Sequence, residues 1–389
     1  MTANEATPLR IGILGAARVA PMALIKPAST SDEVVVAAVA ARDTSRAHAF
    51  AAKHDIARVH ESYEALIADP ELEAIYVPLP NSLHGRWTRA ALATGKHVLC
   101  EKKPFTANAA EAGQVAELAA TSDRVVMEAF HYRYHPLFLR IEQIIASGEL
   151  GKLERVEATL CYPPLPMSSD IRYNYSLAGG ATMDAGCYAV HMARTFGGGT
   201  PPEVLWAQAK LREKNVDRAM TAELQFPGGP TGRIHCSMWS AHLLQMSAKV
   251  VGDRGELRVI NPFMPQLFHR LSIRSANGKR VERFFAPSVL RLPTRRIRRS
   301  GAARRISQKN DAAGRGREHD RHRRNLSHCR PVAARAQLSV RDSCPRWVGH
   351  PSDHSEPPHR ERFVSVEQPR IEQCSRPQQS IKAEGNRSR

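Results

Sequence analysis

From Leu9 the chain reads LRIGILGAARVA: an apolar run, then small residues, then a segment that continues in helical register through Pro21. The pattern predicts a strand, a tight turn and a helix. The next apolar run, VVVAAVA at 34–40, ends at Ala41, Arg42 and Asp43, and the alanine-rich TSRAHAFAAKH after it suits a helix. A third run, AIYVPLP, reaches Pro80, and a fourth, HVLCE, reaches Glu101. Between them NSLHGRWTRAALATG opens on Asn81, a good N-cap, and closes on Gly95, where a left-handed residue ends helices. Another helix, ANAAEAGQVAELAATS, leads to the run RVVMEAF ending near Phe130. Strands alternating with helices predict an α/β fold with a parallel, doubly wound sheet. Ligands of such sheets bind beyond the carboxyl ends of the strands.

The period then changes. After the amphipathic LFLRIEQIIASGEL come the alternating stretches KLERVEATLCY, EVLWAQAKLR, AMTAELQF, GRIHCSMW, LLQMSAKVVG, GELRVI and RLSIRS, separated by turn signals such as FPGGPTG, GDRG and SANGK. A helical YAVHMARTF lies among them. This predicts a second, α+β domain with an open, mostly antiparallel sheet. Beyond residue 287 neither period persists, and Arg, Ser, Pro, His and Gln replace large apolar residues. The expected organisation is thus 1–130, 131–287, and a disordered tail over 288–389.

A formal charge of +18 on 389 residues invites a nucleic-acid hypothesis until its location is counted. Residues 291–389 hold 22 Arg, 2 Lys and 10 acidic side chains, which leaves residues 1–290 with 32 basic and 28 acidic ones. Arginine without interleaved aromatics or a structured face is poor support for nucleic-acid binding, so no such partner is expected. MTANEATPLR has no apolar leader segment, no run is long enough to span a bilayer, and the seven cysteines show neither CxxC pairs nor disulfide-scaffold density. The cytoplasm is expected, with no metal site and no membrane.

Chemistry concentrates at the strand ends. The turn Gly15-Ala16-Ala17-Arg18-Val19-Ala20 fits GxGxxG only with alanine at two positions; Gly15 permits the turn, while Ala17 and Ala20 let backbone and helix approach a pyrophosphate. The next strand ends on Arg42 instead of the acidic residue that holds an NAD ribose, which tilts the expectation to NADP, with NAD as the alternative. Pro80, Asn81 and His84 follow the third strand, where a cofactor would cross; Asn81 could equally be only a cap and His84 only a first-turn residue. Glu101, Lys102 and Lys103 close the fourth, and lysine pairs there are ordinarily solvated. In GGATMDAGCYAVHMA, Asp184, Tyr188 and His191 recur at spacings of four and three, one face of a helix, and could move a proton to or from a hydroxyl. The alternative is a helix whose Tyr and His pack on the sheet while Asp184 caps it.

LRIGILGAA, VPLPNSLHGRWTRAALATGKHVLCEKKPFTANAAEA, EAFHYRYHP and GGATMDAGCYAVHMA together resemble the glucose-fructose oxidoreductase, inositol dehydrogenase and rhizopine catabolism (Gfo/Idh/MocA) family, most of all its dihydrodiol and sugar dehydrogenase branch. The resemblance runs from about Leu9 to about Phe285. It implies an N-terminal Rossmann domain, a C-terminal α+β domain, NAD(P) as cofactor, a sugar, polyol or trans-dihydrodiol as substrate, and a homodimer through the second-domain sheet.

The family's EKP lysine maps onto EKKP, which has one lysine too many. Anchoring on Pro104 selects Lys103 as catalytic, whereas anchoring on Glu101 selects Lys102; Lys103 is favoured. The family's DxGxY pattern maps to Asp184, Gly186 and Tyr188. The implied mechanism gives Tyr188 the hydroxyl proton while Lys103 assists and Asp184 holds the phenol. His191 and Arg133 are expected at the substrate, and Gly15, Ala16, Ala17, Arg42, Pro80, Asn81, His84, Glu101 and Lys102 at the cofactor.

The closing YxxQLxxF helix of the family is missing after Leu290, and the arginine-rich text is what a GC-rich gene yields when read out of frame. A frameshift is therefore expected; absence of YxxQLxxF-like text from both other frames past codon 287 would refute it. The alternative function is a catalytically impaired NAD(P)- or sugar-binding protein.

Overall fold

The computed structural model describes residues 7–102, 106–163, 170–239 and 244–284. The 288–389 tail and Lys103 lie outside them. The described residues all belong to one compact unit, Met1–Glu318.

The first sheet is parallel and has six strands: β1 (Leu9–Leu14), β2 (Val34–Ala40), β3 (Arg58–His60), β4 (Ala74–Val77), β5 (His97–Cys100) and β6 (Val126–Glu128). Their order is β3-β2-β1-β4-β5-β6, so the direction of winding reverses between β1 and β4. The central strands carry unbroken apolar runs because helices cover both faces. Ile11, Ile13 and Tyr76 point into one core, and Leu14, Ile75 and Val98 into the other. Each such side chain contributes about 1.5–3 kcal/mol of transfer free energy.

The connections are a π-turn (Pro21–Ile25) that runs into α1 (Lys26–Ala28), then α2 (Thr44–His54), α3 (Tyr63–Ala68), α4 (Asn81–Ala93) and α5 (Ala109–Thr121). Asp43, Ser62 and Asn108 cap α2, α3 and α5 through their side chains. Asn81 does not cap: Pro80 occupies the N-cap position and Asn81 is the first helical residue. Gly95 takes φ +74 just beyond α4, as its position predicts.

A 3₁₀ turn (His131–Tyr134) and α6 (Pro136–Ala146) lead to the second sheet. Its strands are β7 (Leu153–Tyr162), β8 (Glu203–Glu213), β9 (Val216–Gln225), β10 (Thr231–Met238), β11 (Gln245–Gly252), β12 (Gly255–Ile260), β13 (Arg270–Ser275) and β14 (Gly278–Glu282). The order is β14-β13-β12-β11-β7-β10-β9-β8, antiparallel throughout except for β7 beside β10. α6 and α7 (Cys187–Phe196) cover it: Ile141, Ile144, Ala189, Met192 and Phe196 share a core with Val156, Leu160, Ile234 and Val259. Among the described residues no helix is long and apolar enough to cross a membrane, and no group of three His, Cys, Asp or Glu side chains could hold a metal ion.

Two strands escape the sequence pattern, β3 and β14. RVH at 58–60 has a single apolar residue, and GKRVE at 278–282 is a largely exposed edge, so neither has a hydrophobic face to display a period of two.

Candidate active site

The carboxyl ends of β1, β2, β4 and β5 converge at the point where the sheet reverses direction. Gly15 follows β1 at φ +94, and a Cβ there would stand 2.9 Å from Leu79 Cδ2. The turn is closed by Gly15 N–H on the Ala40 carbonyl at 2.6 Å and Ala17 N–H on the Gly15 carbonyl at 2.9 Å. Ala16 is buried and Ala17 half-buried, so backbone forms the lip of this crevice.

Arg42 lies exposed after β2. Asp43 beside it is engaged in capping α2, accepting from Arg46 N at 3.1 Å. The Arg46 guanidinium turns back and donates to the Ala16 carbonyl at 2.9 Å. The Arg42 backbone N–H meets the Tyr63 hydroxyl, which burial pushes above its ordinary pKa against the pull of both arginines. Among the described residues neither guanidinium is ion-paired, so two unneutralised cations stand beside the glycine turn. A shaped backbone lip with two unneutralised guanidiniums fits a dinucleotide whose ribose carries a phosphate. Arg46 was not expected from sequence, and its place in the first turn of α2, four residues after Arg42, is the signal for it.

After β4 the expected cofactor residues are held by protein groups. His84 is fully buried with Nε2 2.7 Å from the Leu79 carbonyl oxygen, bracing the turn that contains Pro80. Asn81 Nδ2 donates to the Ala178 carbonyl at 2.8 Å, reaching a loop that precedes α7. At the end of β5, Glu101 is 5% exposed and accepts from the Tyr76 hydroxyl at 2.7 Å, with His131 Nε2 at 3.4 Å. Burial pushes its carboxyl up, but the His131 and Lys102 interactions and the Tyr76 bond outweigh it and hold the group at about 2.

Asp184 sits in a π-turn (Thr182–Gly186) that feeds α7. Its carboxylate takes Arg172 Nε at 3.0 Å on Oδ2. The spacing argument, which assumed one regular helix, did not anticipate the π-turn or this partner.

Tyr188 and His191 occupy the face of α7 turned toward Phe130, Tyr132 and Phe263. Phe130 stacks on His191 at 4.4 Å, and Phe130 and Phe263 meet Tyr188 edge-on at 5.5 and 5.8 Å. The Tyr132 hydroxyl is 2.7 Å from His191 Nδ1. Burial, with the Arg133 and Arg194 charges, brings His191 down to about 4, so its imidazole is neutral at pH 7. Arg133 is exposed.

Lys102 reaches this face: its Nζ is 4.9 Å from the centroid of the Tyr188 ring. Burial raises the Tyr188 phenol well above its ordinary pKa, and the nearby Cys187, Glu101 and Asp184 add to the rise. The phenol is therefore protonated at neutral pH. The end of β5 and the start of α7 thus bring a lysine and a proton-bearing phenol together beside the crevice.

Comparison with known proteins bears on both halves of the chain. Residues 9–130 match the family model of an oxidoreductase family with an NAD-binding Rossmann fold, and residues 138–258 match that of the GFO/IDH/MocA C-terminal domain. A D-xylose 1-dehydrogenase (NADP(+)) 2 of Haloferax volcanii is 43% identical over 229 residues, 59% of this chain and 69% of the relative. A trans-1,2-dihydrobenzene-1,2-diol dehydrogenase of Macaca fascicularis is 37% identical over 229 residues, 58% of this chain and 66% of the relative. A 3-ketoreductase from Actinomadura kijaniata, crystallised with TDP-benzene and NADP, superimposes with a TM-score of 0.67 at 26% identity, covering 76% of this chain and 90% of that one.

Proposed function

Because the chain belongs to the Gfo/Idh/MocA family of NAD(P)-dependent oxidoreductases, we propose that it transfers a hydride between NADP and a CH–OH or keto carbon of an aldose-type sugar or cyclic diol, with Tyr188 exchanging the hydroxyl proton. The observation that carries this reading is Lys102 Nζ over the Tyr188 ring at 4.9 Å.

Bound in the crevice, the nicotinamide would supply the hydride acceptor or donor. The backbone of Gly15, Ala16 and Ala17 would hold the pyrophosphate, and Arg42 and Arg46 would hold the ribose phosphate. Asp43 caps α2 through Oδ1, and the cation beside it is Arg42, which supports NADP. As the substrate carbinol loses its hydride, the deprotonated Tyr188 Oη takes the hydroxyl proton; in the reverse direction the phenol gives its proton to the carbonyl oxygen and becomes phenolate. The Lys102 ammonium offsets the charge that the phenol acquires, and Phe130 and Phe263 shield the ring from water. A positioned proton donor contributes roughly 10²- to 10⁴-fold to rate.

The sugar or diol class rests on the two relatives above. Homodimer formation through the second sheet belongs to the same reading and is supported by Val204, Leu205 and Trp206, all exposed on β8. Among the described residues, the free thiols of Cys100, Cys161 and Cys236 support a reducing compartment, the cytoplasm. The test is a panel of D-xylose, D-glucose and a trans-dihydrodiol with NADP⁺ or NAD⁺, followed by absorbance of the reduced nicotinamide. Turnover with NADP⁺ is expected; cofactor binding without turnover of any panel member would favour the impaired-binder alternative.

A further inference from the structure

Between β7 and α7 the chain folds into a strap over Asp170–Gly180, built of two 3₁₀ turns, Ile171–Tyr173 and Tyr175–Leu177. Arg172 is its fastening. The guanidinium forks two buried carboxylates: Nη1 reaches Asp170 Oδ2 at 2.8 Å, and Nε reaches Asp184 Oδ2 at 3.0 Å. The Arg172 backbone carbonyl accepts the Gly180 N–H at 2.8 Å, closing the strap on itself. Gly179 makes that closure feasible, since a Cβ there would meet the Arg172 carbonyl oxygen at 2.5 Å. On the other side, the Arg212 guanidinium lies 3.6 Å from the centroid of the Tyr173 ring and anchors the strap to β8.

The strap also touches the nucleotide-binding half. Asn81, the first residue of α4, donates through Nδ2 to the Ala178 carbonyl at 2.8 Å. One eleven-residue segment thereby joins the start of α4, beside the crevice, to the turn that launches the Tyr188 helix. Asp184 is one helical turn before Tyr188, so the grip of Arg172 on its carboxylate fixes the position of the phenol along that helix.

We propose that Arg172 is a positioning residue for the proton-transfer step: it fastens the Asp170–Gly180 strap to Asp184, and the Asn81–Ala178 bond registers that strap with the cofactor half. The effect on catalysis rests on the role given to Tyr188; the fastening itself does not. Arginine suits the task because its planar fork can hold two carboxylates at fixed angles, whereas lysine offers a single point charge.

The experiment is Arg172→Lys in the full chain. With D-xylose and NADP⁺ as probes, kcat is expected to fall about 10- to 100-fold, the loss typical of misplacement by an ångström. KM for D-xylose and the affinity for NADPH are expected to stay within about threefold. A kcat within about twofold of the parent would overturn the proposal, and so would a rise in KM alone, which would make Arg172 a substrate contact.

Hydrogen–deuterium exchange on the ligand-free protein gives a readout independent of turnover. Arg172→Lys is expected to speed exchange of the Asp184–Tyr188 amides about tenfold, equivalent to about 1.4 kcal/mol of local opening. The strands of the first sheet should be unaffected. Unchanged exchange over 184–188, or equal acceleration in both sheets, would overturn the positioning role. Asp170→Asn keeps Arg172 on Asp184 and is expected to give the same local pattern at smaller amplitude. Saturating NADPH should slow exchange over 178–188 in the parent but not in Asn81→Ala; equal slowing in both would overturn the link to the cofactor half. If the parent turns over no D-xylose, the functional reading fails for that sugar, and the ligand-free exchange still decides the role of Arg172.

Discussion

Lys102 Nζ lies 4.9 Å from the centre of the Tyr188 ring, joining the end of β5 to the helix of the second half. EKKP offers two lysines, of which Lys102 lies within the described residues, with its ammonium facing the Tyr188 ring. Removing a cation from beside a buried phenol raises the cost of forming phenolate. Lys102→Met is therefore expected to lower kcat about 100-fold, within the range for one proton-transfer group, and Lys103→Met less than tenfold. Steady-state kinetics on the two variants checks this, and the reverse ranking would return the role to Lys103.

Arg42 and Arg46 supply the cations beside the glycine turn. A charge-assisted bond to phosphate contributes about 1.5–3 kcal/mol, so Arg42→Ala and Arg46→Ala should each weaken NADPH binding about tenfold or more. NADH binding should change less than twofold. Fluorescence titration measures both, and equal losses for the two nucleotides would remove the phosphate-binding role.

The long elements were legible because their chemistry repeats. The second half of VVVAAVA, Ala37–Ala40, and HVLC are buried on both faces, and α6 has an apolar stripe, so period and composition located them. The turn at Gly15 was legible from small residues alone. What sequence could not supply were relationships across distance. Asn81 looked like a cap, yet its amide crosses to Ala178, 97 residues away. The hold of Arg172 on Asp184 comes from a loop with no periodicity.

Stability should fall in two steps on acidification. Burial depresses His135 and His191 to about 4, below their unfolded value near 6.5. Such groups contribute stability above pH 6.5 that is lost as pH falls toward 4, because the unfolded chain binds those protons first. Glu101, with its His131 and Tyr76 partners, and Glu149, held by Arg280, sit at about 2, so their contribution is lost between pH 4.5 and 2. His135 Nδ1 accepts the Leu137 N–H at the start of α6, a task that asparagine can perform without titrating. His135→Asn should thus reduce the slope of unfolding free energy between pH 6 and 4.5 by up to about 1.4 kcal/mol per pH unit. Denaturant melts at several pH values check it, and an unchanged slope would contradict the buried neutral imidazole.

The central claim is that the Tyr188 phenol exchanges the substrate proton, and Tyr188→Phe tests it most directly by removing one oxygen while keeping the ring among Phe130 and Phe263. The measurement is kcat/KM for D-xylose oxidation by NADP⁺ across pH 6–10, beside NADPH affinity. Because the phenol titrates well above its ordinary value, the parent rate should climb with pH without a plateau below about pH 10. Tyr188→Phe should lose about 10²- to 10⁴-fold and flatten that profile, with NADPH affinity unchanged. Retention of activity within tenfold, or the same pH profile at lower amplitude, would contradict the account.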